Sequence, residues 1–165
     1  MASGDTLIVF TPLHNEPPGA NAATIDLRNQ HAVLDFDAAT DESARFGGFM
    51  PRNYGAATGV TVTLVWMAST ATTGDVIWNV SFERHADDAF DLDADGFAAV
   101  NAVTDTTANV SGEVSYPTIT FTAGADMDSV VAGDSFRLNV TRDADNGSDD
   151  MAGDAELLRV EIKET

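Results

Sequence analysis

VTVTLVWMASTATTGDVIWNVSFERH, Val60 to His85, sorts its residues by face more cleanly than any other stretch of the chain. Val60, Val62, Leu64 and Trp66 fall on one side, with Thr61 and Thr63 on the other. After a polar interval the pattern resumes: Val76, Trp78, Val80 and Phe82 oppose Asn79, Ser81 and Glu83. Period-two alternation of this kind marks half-buried β-strands, because successive side chains leave a strand in opposite directions. The connection ASTATTGD is short, polar and contains Gly74, so the two runs read as a hairpin.

The same period recurs in both directions. SFRLNVTR aligns Phe136, Leu138 and Val140, ELLRVEIKE aligns Leu158, Val160 and Ile162, and TITFT supplies Ile119 and Phe121. TLIVFTP, ATIDLRN and AVLDFD read as short N-terminal strands separated by HNEPPGAN and NQH. Gly and Pro fall between the apolar runs, where turns need them. The pattern predicts eight or nine strands in one all-β domain, a sandwich or barrel. The expected interior holds Val62, Leu64, Trp66, Val76, Trp78, Val80, Phe82, Phe136, Leu138, Val140, Val160 and Ile162. Two stretches do not alternate. Asp87 to Gly112 reads as a long loop with a helical turn at GFAAVNAV, and AGADMDSVVAGD as a short helical turn before the strand at Phe136. Residues 1–22, with prolines at 12, 17 and 18, are expected as an extended arm preceding the domain at 23–165.

The chain has 165 residues, no cysteine, and 8 Lys plus Arg against 27 Asp plus Glu, a formal net charge of −19. A domain of this size buries enough surface to fold without staples. Zero Cys removes disulfides, thiolate zinc sites and thiol nucleophiles. The negative charge repels phosphate backbones and anionic leaflets alike, so neither nucleic acid nor membrane is an expected partner. The apolar runs are too short to span a bilayer, and MASGDTLIVFTP lacks the basic n-region of a secretory signal.

LDFDAATDESARFGGFMPRNY, Leu34 to Tyr54, concentrates Asp35, Asp37, Asp41 and Glu42. Alternation puts Leu34 and Phe36 on one side of a strand with Asp35 and Asp37 on its exposed margin, Asp41 and Glu42 fall at a turn, and Gly47-Gly48 marks a bulge or a close backbone approach. Asp91, Asp93, Asp95 and Gly96 match the first half of a calcium loop, but Ala102 stands where the bidentate Glu belongs, so no metal site is assigned. His14, His31 and His85 are dispersed and no G-x-S-x-G elbow occurs, so neither catalytic nor cofactor-binding residues are assigned. The sequons at Asn79, Asn109, Asn139 and Asn146 are not expected to be glycosylated, two of them lying within strands. Trp66 and Trp78 share a face with core residues. Phe49, Tyr54, Phe90 and Phe97 are the aromatics expected to be available for stacking on a sugar.

Three stretches in order, VLDFDAATDESARFGGFMPRNY, VTLVWMASTATTGDVIWNVSFER and FRLNVTRDADNGSDDMAGDAELLRVEI, resemble the small jelly-roll structural proteins of tailed bacteriophages from about Ala23 onward. The resemblance implies a jelly-roll sandwich without enzymatic activity, commonly trimeric, serving as a head decoration (cement) protein. Its partners would be the major capsid protein and further copies of itself, in a virion assembled in the host cytoplasm. The alternative is a receptor- or carbohydrate-binding module of a tail tip, fibre or spike.

Overall fold

A computed structural model describes residues 4–55 and 57–165. They form ten strands: β1 Thr6–Phe10, β2 Thr24–Arg28, β3 His31–Phe36, β4 Glu42–Phe49, β5 Val60–Ala68, β6 Asp75–His85, β7 Asn101–Thr106, β8 Thr118–Phe121, β9 Ser135–Arg142 and β10 Ala155–Glu164. Two antiparallel sheets face each other in a single-domain jelly-roll sandwich. One runs β2-β3-β10-β5-β8, with β1 beside β10, and the other runs β4-β9-β6-β7. The first three residues of the expected arm lie outside the described residues. Among the described residues no helix is long and apolar enough to cross a membrane.

Each of the twelve residues expected inside is buried. The two tryptophans sit at the centre, 5.8 Å apart edge to face. Phe36 meets Trp78 at 5.0 Å, and Phe82 meets Phe121 at 4.9 Å. These contacts link the two sheets, and such aromatic pairs add to the area that they bury.

β5 and β6 are strands, but not a hairpin. β5 pairs with β10 and β8 in one sheet, and β6 pairs with β7 and β9 in the other. Alternation identifies a strand with one buried face; it carries no information about which strand lies alongside. Residues 69–74 instead arch between the sheets, and Gly74 closes the arch at φ +104°, where a Cβ would meet the Met151 Cα at 2.6 Å. Only glycine combines that dihedral with so close an approach.

β7 replaces the expected helical turn. Its residues NAVTDT form an edge strand beside β6, with Val103 packed on the core. The expected turn in AGADMDSVVAGD is a 3₁₀ turn at Ala125–Met127. β10 departs from strict alternation: a bulge between Leu157 and Arg159 shifts the phase, so Leu157, Val160 and Ile162 face inward while Leu158 is only half-buried.

The expected arm is built into the sandwich. β1 pairs with β10, and Phe10 is buried beneath Gly48, stacked on Phe46 at 5.3 Å. A 3₁₀ turn follows at Pro12–His14. The chain then runs along β4, where Asn15 bridges to Phe46 and Ala22 to Ser43. Gly48 contributes here by having no side chain, which leaves room for the Phe10 ring.

Candidate functional site

The outer face of the four-stranded sheet is organised in rows set by strand register. Cross-strand pairing of β4, β9 and β6 aligns Phe49, Ser135 and His85 in one row and Gly47, Arg137 and Glu83 in the next. Arg45, Asn139 and Ser81 form a third row, and Ser43, Thr141 and Asn79 a fourth. The same period that sends Phe82, Leu138 and Phe46 into the core therefore sends twelve consecutive alternates outward, most of them polar.

These side chains hold one another in place. Arg137 donates to Glu83 Oε2 from Nε at 2.7 Å and from a terminal nitrogen at 2.6 Å. Arg45 Nε donates to Asn139 Oδ1 at 3.3 Å, and Asn139 Nδ2 donates to Thr141 Oγ1 at 2.9 Å. Ser135 Oγ lies 3.0 Å from His85 Nδ1. Phe97 reaches over from the β6–β7 connection, its ring centre 5.4 Å from the Arg45 guanidinium carbon and 5.3 Å from that of Arg137. Phe90 from the same connection packs on His85 with ring centres 4.7 Å apart. The Phe97 ring restricts both arginines, with the Glu83 ion pair holding Arg137 and the Asn139 hydrogen bond holding Arg45, so the face is ordered before any ligand arrives.

A cleft of about 320 Å³ opens among the first two rows, lined by Glu16, Gly47, Phe49, His85, Ser135 and Arg137 among others. Gly47 leaves room there for the Glu16 carboxylate, whose Oε1 would lie 2.5 Å from a Cβ at this position. Phe49 stands at its edge, 71% exposed. An exposed ring beside planar, mutually braced hydrogen-bonding groups can cover the apolar face of a small polar ligand while pairing with its hydroxyls.

Of the four aromatics expected at a surface, Phe49, Phe90 and Phe97 border this face. Tyr54 does not: it is buried, its hydroxyl 3.5 Å from the Met127 sulfur, and burial with the nearby Glu164 raises its pKa. The side chain instead fills the end of the core. Trp66 and Trp78 are core residues, and Trp66 Nε1 donates to Asp105 at 2.7 Å. His14 meets Thr11 and the edge of the Phe10 ring, and His31 meets the Asn29 carbonyl.

The acidic stretches separate into three arrangements. Asp91, Asp93 and Asp95 are exposed, and two of their carboxylates turn back onto their own loop: Asp91 Oδ1 accepts the Asp93 amide and Asp95 Oδ2 the Asp91 amide. The carboxylates that do converge are Asp41, Asp143 and Asp145, one oxygen from each within 4.8 Å of the others, and repulsion from Asp41 raises the pKa of Asp145. Sequence reading missed this trio because Asp41 is a hundred residues from its neighbours. Asp35, Asp37, Glu42, Asp154 and Thr24 line a small pocket of about 120 Å³. There Asp35 is not the plain surface carboxylate expected. Burial, and then repulsion from Asp154, Glu156, Asp26 and Glu42, push its pKa up to about 6. The backbone amides of Ala39 and Thr40 hold the Asp37 carboxyl below its ordinary value.

No protein-family model matches the chain. No curated protein matches it in sequence either, so no relative in sequence supports the phage resemblance. Solved structures do match its shape. The CBM22-1 xylan-binding domain of Paenibacillus barcinonensis Xyn10C aligns over 99% of this chain and 96% of its own, with a TM-score of 0.52 and 11% identity. A family 11 carbohydrate-binding module from Clostridium thermocellum aligns over 100% and 98%, with a TM-score of 0.49 and 7% identity. A chain in the structure of infectious bursal disease virus, Gx strain, covers 99% of this chain over 33% of its own length, with a TM-score of 0.36 and 11% identity. At these identities the likeness is one of fold, a jelly-roll sandwich that the carbohydrate-binding modules share with this chain.

Proposed function

We propose that the protein is a non-catalytic binding module that takes a saccharide on the outer face of its four-stranded sheet. The observation that carries this reading is the cleft between Phe49 and Arg137, where an exposed ring and a guanidinium braced from behind by Glu83 stand beside Ser135, His85 and Glu16. The row Ser135–His85–Glu83 has the residue types of a nucleophile, base and acid, but not their geometry. Glu83 Oε2 accepts from Arg137 and stays 4.0 Å from His85 Nε2, which has no hydrogen-bond partner among the described residues. A general base without an oriented second nitrogen lacks the constraint that makes such a relay work. Binding fits these contacts better than turnover does.

The shape shared with a xylan-binding domain selects the first probes. Native gels cast with xylan or with mixed-linkage β-glucan are expected to retard the protein, and Phe49→Ala is expected to run as in a gel without polysaccharide. Unretarded migration in every gel, together with saturable binding to purified phage heads, would move the head-decoration reading into its place.

A further inference from the structure

We propose that the ligand site continues past His85 and Phe90 into a second cleft at the end of the sandwich, so that the ligand is a chain of sugar units long enough to occupy both. This rests on the saccharide reading of the first cleft. The second cleft has a volume of about 310 Å³, nearly that of the first, and its lining includes Arg84, Phe90, Asp95, Asp128 and Ser129. The two clefts share one wall. His85 lines the first and Phe90 the second, and their rings are in contact. Arg84 and His85 are consecutive in β6, so the alternation of the strand sends one side chain to each cleft.

The second cleft repeats the chemistry of the first: a guanidinium, a carboxylate, a hydroxyl and an aromatic ring. It is also held rigidly. Arg84 Nε donates to Asp134 Oδ2 at 2.6 Å, and the Arg84 amide donates to Asp128 Oδ2 at 2.7 Å. The terminal guanidinium nitrogens of Arg84 have no hydrogen-bond partner among the described residues, and its side chain is 30% exposed, so donors remain for a ligand. Asp128 and Ser129 are consecutive non-glycine residues at φ +51° and +59°. A left-handed backbone strains residues other than glycine, and such strain persists only where the surroundings enforce it. Here the enforcing contacts are the Arg84 amide on Asp128 and the Ser129 amide on the Gly124 carbonyl at 2.8 Å. A single sugar seated in the first cleft meets none of these groups. A chain that crosses the His85–Phe90 wall meets both sets, and its second contact forms at the high effective concentration of a tethered ligand.

Calorimetric titration of the full chain with linear oligosaccharides, from disaccharide to hexasaccharide, tests this. The series is cut from whichever of xylan and mixed-linkage β-glucan retards the protein. Affinity is expected to step up by about tenfold or more once the chain is long enough to cross the wall. Arg84→Gln and Ser129→Gly, with their thermal midpoints checked against the parent, are expected to remove that step and leave the affinity for the shortest binder within about twofold. Affinity that levels off at the shortest binding length would overturn the second cleft while sparing the first, as would variants that weaken short and long chains alike. If no length binds, or if Phe49→Ala binds as the parent does, the first cleft is not the site, and the extension falls with it.

Discussion

Arg142 and Asp149 form a bidentate ion pair sealed inside the sandwich, with side-chain exposures of 0% and 1%. Nε and one terminal nitrogen of Arg142 reach the two carboxylate oxygens at 3.1 and 2.8 Å. The remaining donors go to the carbonyls of Gly153 at 2.8 Å, Met151 at 3.0 Å and Phe36 at 3.4 Å. The guanidinium thereby pins the Asp-rich β9–β10 connection to the last residue of β3. Removing one partner of such a pair strands a buried charge and costs about 3–5 kcal/mol. Arg142→Ala is expected to lower stability by that amount in urea unfolding. Arg142→Met, which leaves Asp149 equally unpaired, should be nearly as severe; a loss under about 1 kcal/mol in both would show that the pair is not sealed from water.

Asp35 gives stability a specific pH dependence. Its folded pKa of about 6 lies above the ordinary aspartate value of 3.8. The native carboxyl therefore holds its proton more tightly than the unfolded chain does. The contribution of this group is full below about pH 4 and is lost as pH rises through 6. At pH 7 Asp35→Asn is expected to be more stable than the parent by about 1 kcal/mol, allowing for solvent screening of a partly exposed group. At pH 4 the two should coincide. Paired urea titrations at the two values check this, and an equal difference at both would remove the titration of Asp35 as its cause.

The N-terminal strand should matter to the fold. Phe10 is 4% exposed, and β1 pairs along Val160–Lys163 of β10. Deleting residues 1–10 leaves that side of β10 unpaired and opens a cavity against Phe46 and Gly48. Truncating a buried Phe alone costs about 3–5 kcal/mol. Both the deletion and Phe10→Ala are expected to lower the thermal midpoint markedly, and an unchanged midpoint in the deletion would restore the detached arm.

What was legible in the sequence follows from what period two encodes. Val62, Trp78, Leu138 and Ile162 could be placed inside because alternation reports a face directly. Pairing partners depend on contacts far apart in sequence, so the arch from β5 to β6 read as a hairpin. β7 escaped notice because an edge strand packing mainly through Val103 needs little apolar residue at every second position. Leu158 was placed a residue out of phase because a bulge leaves no composition signal. The candidate site was only partly legible. Phe49, Phe90 and Phe97 stood out as aromatics, but Arg45, Arg137, Glu83 and His85 become neighbours only through the β4-β9-β6 register, and Gly47 makes room for Glu16 from a segment some thirty residues away.

Phe49 and Tyr54, five residues apart, should separate binding from stability. Phe49 is 71% exposed and touches the cleft, while Tyr54 is 4% exposed and packs on Met127. A surface ring that contributes little to the core can be removed at a cost within about 0.5 kcal/mol. A buried aromatic of this size costs about 3–5 kcal/mol. Phe49→Ala is therefore expected to unfold at the same urea midpoint as the parent while its retardation by polysaccharide disappears. Tyr54→Ala should unfold at much lower urea, yet the fraction that remains folded should bind with the parental affinity, because its ring never reaches the outer face. The two variants are compared by urea unfolding and by calorimetry at a temperature where both are folded. Equal losses of affinity in the two would mean that Phe49 acts through the fold, and the stacking role assigned to it would be withdrawn.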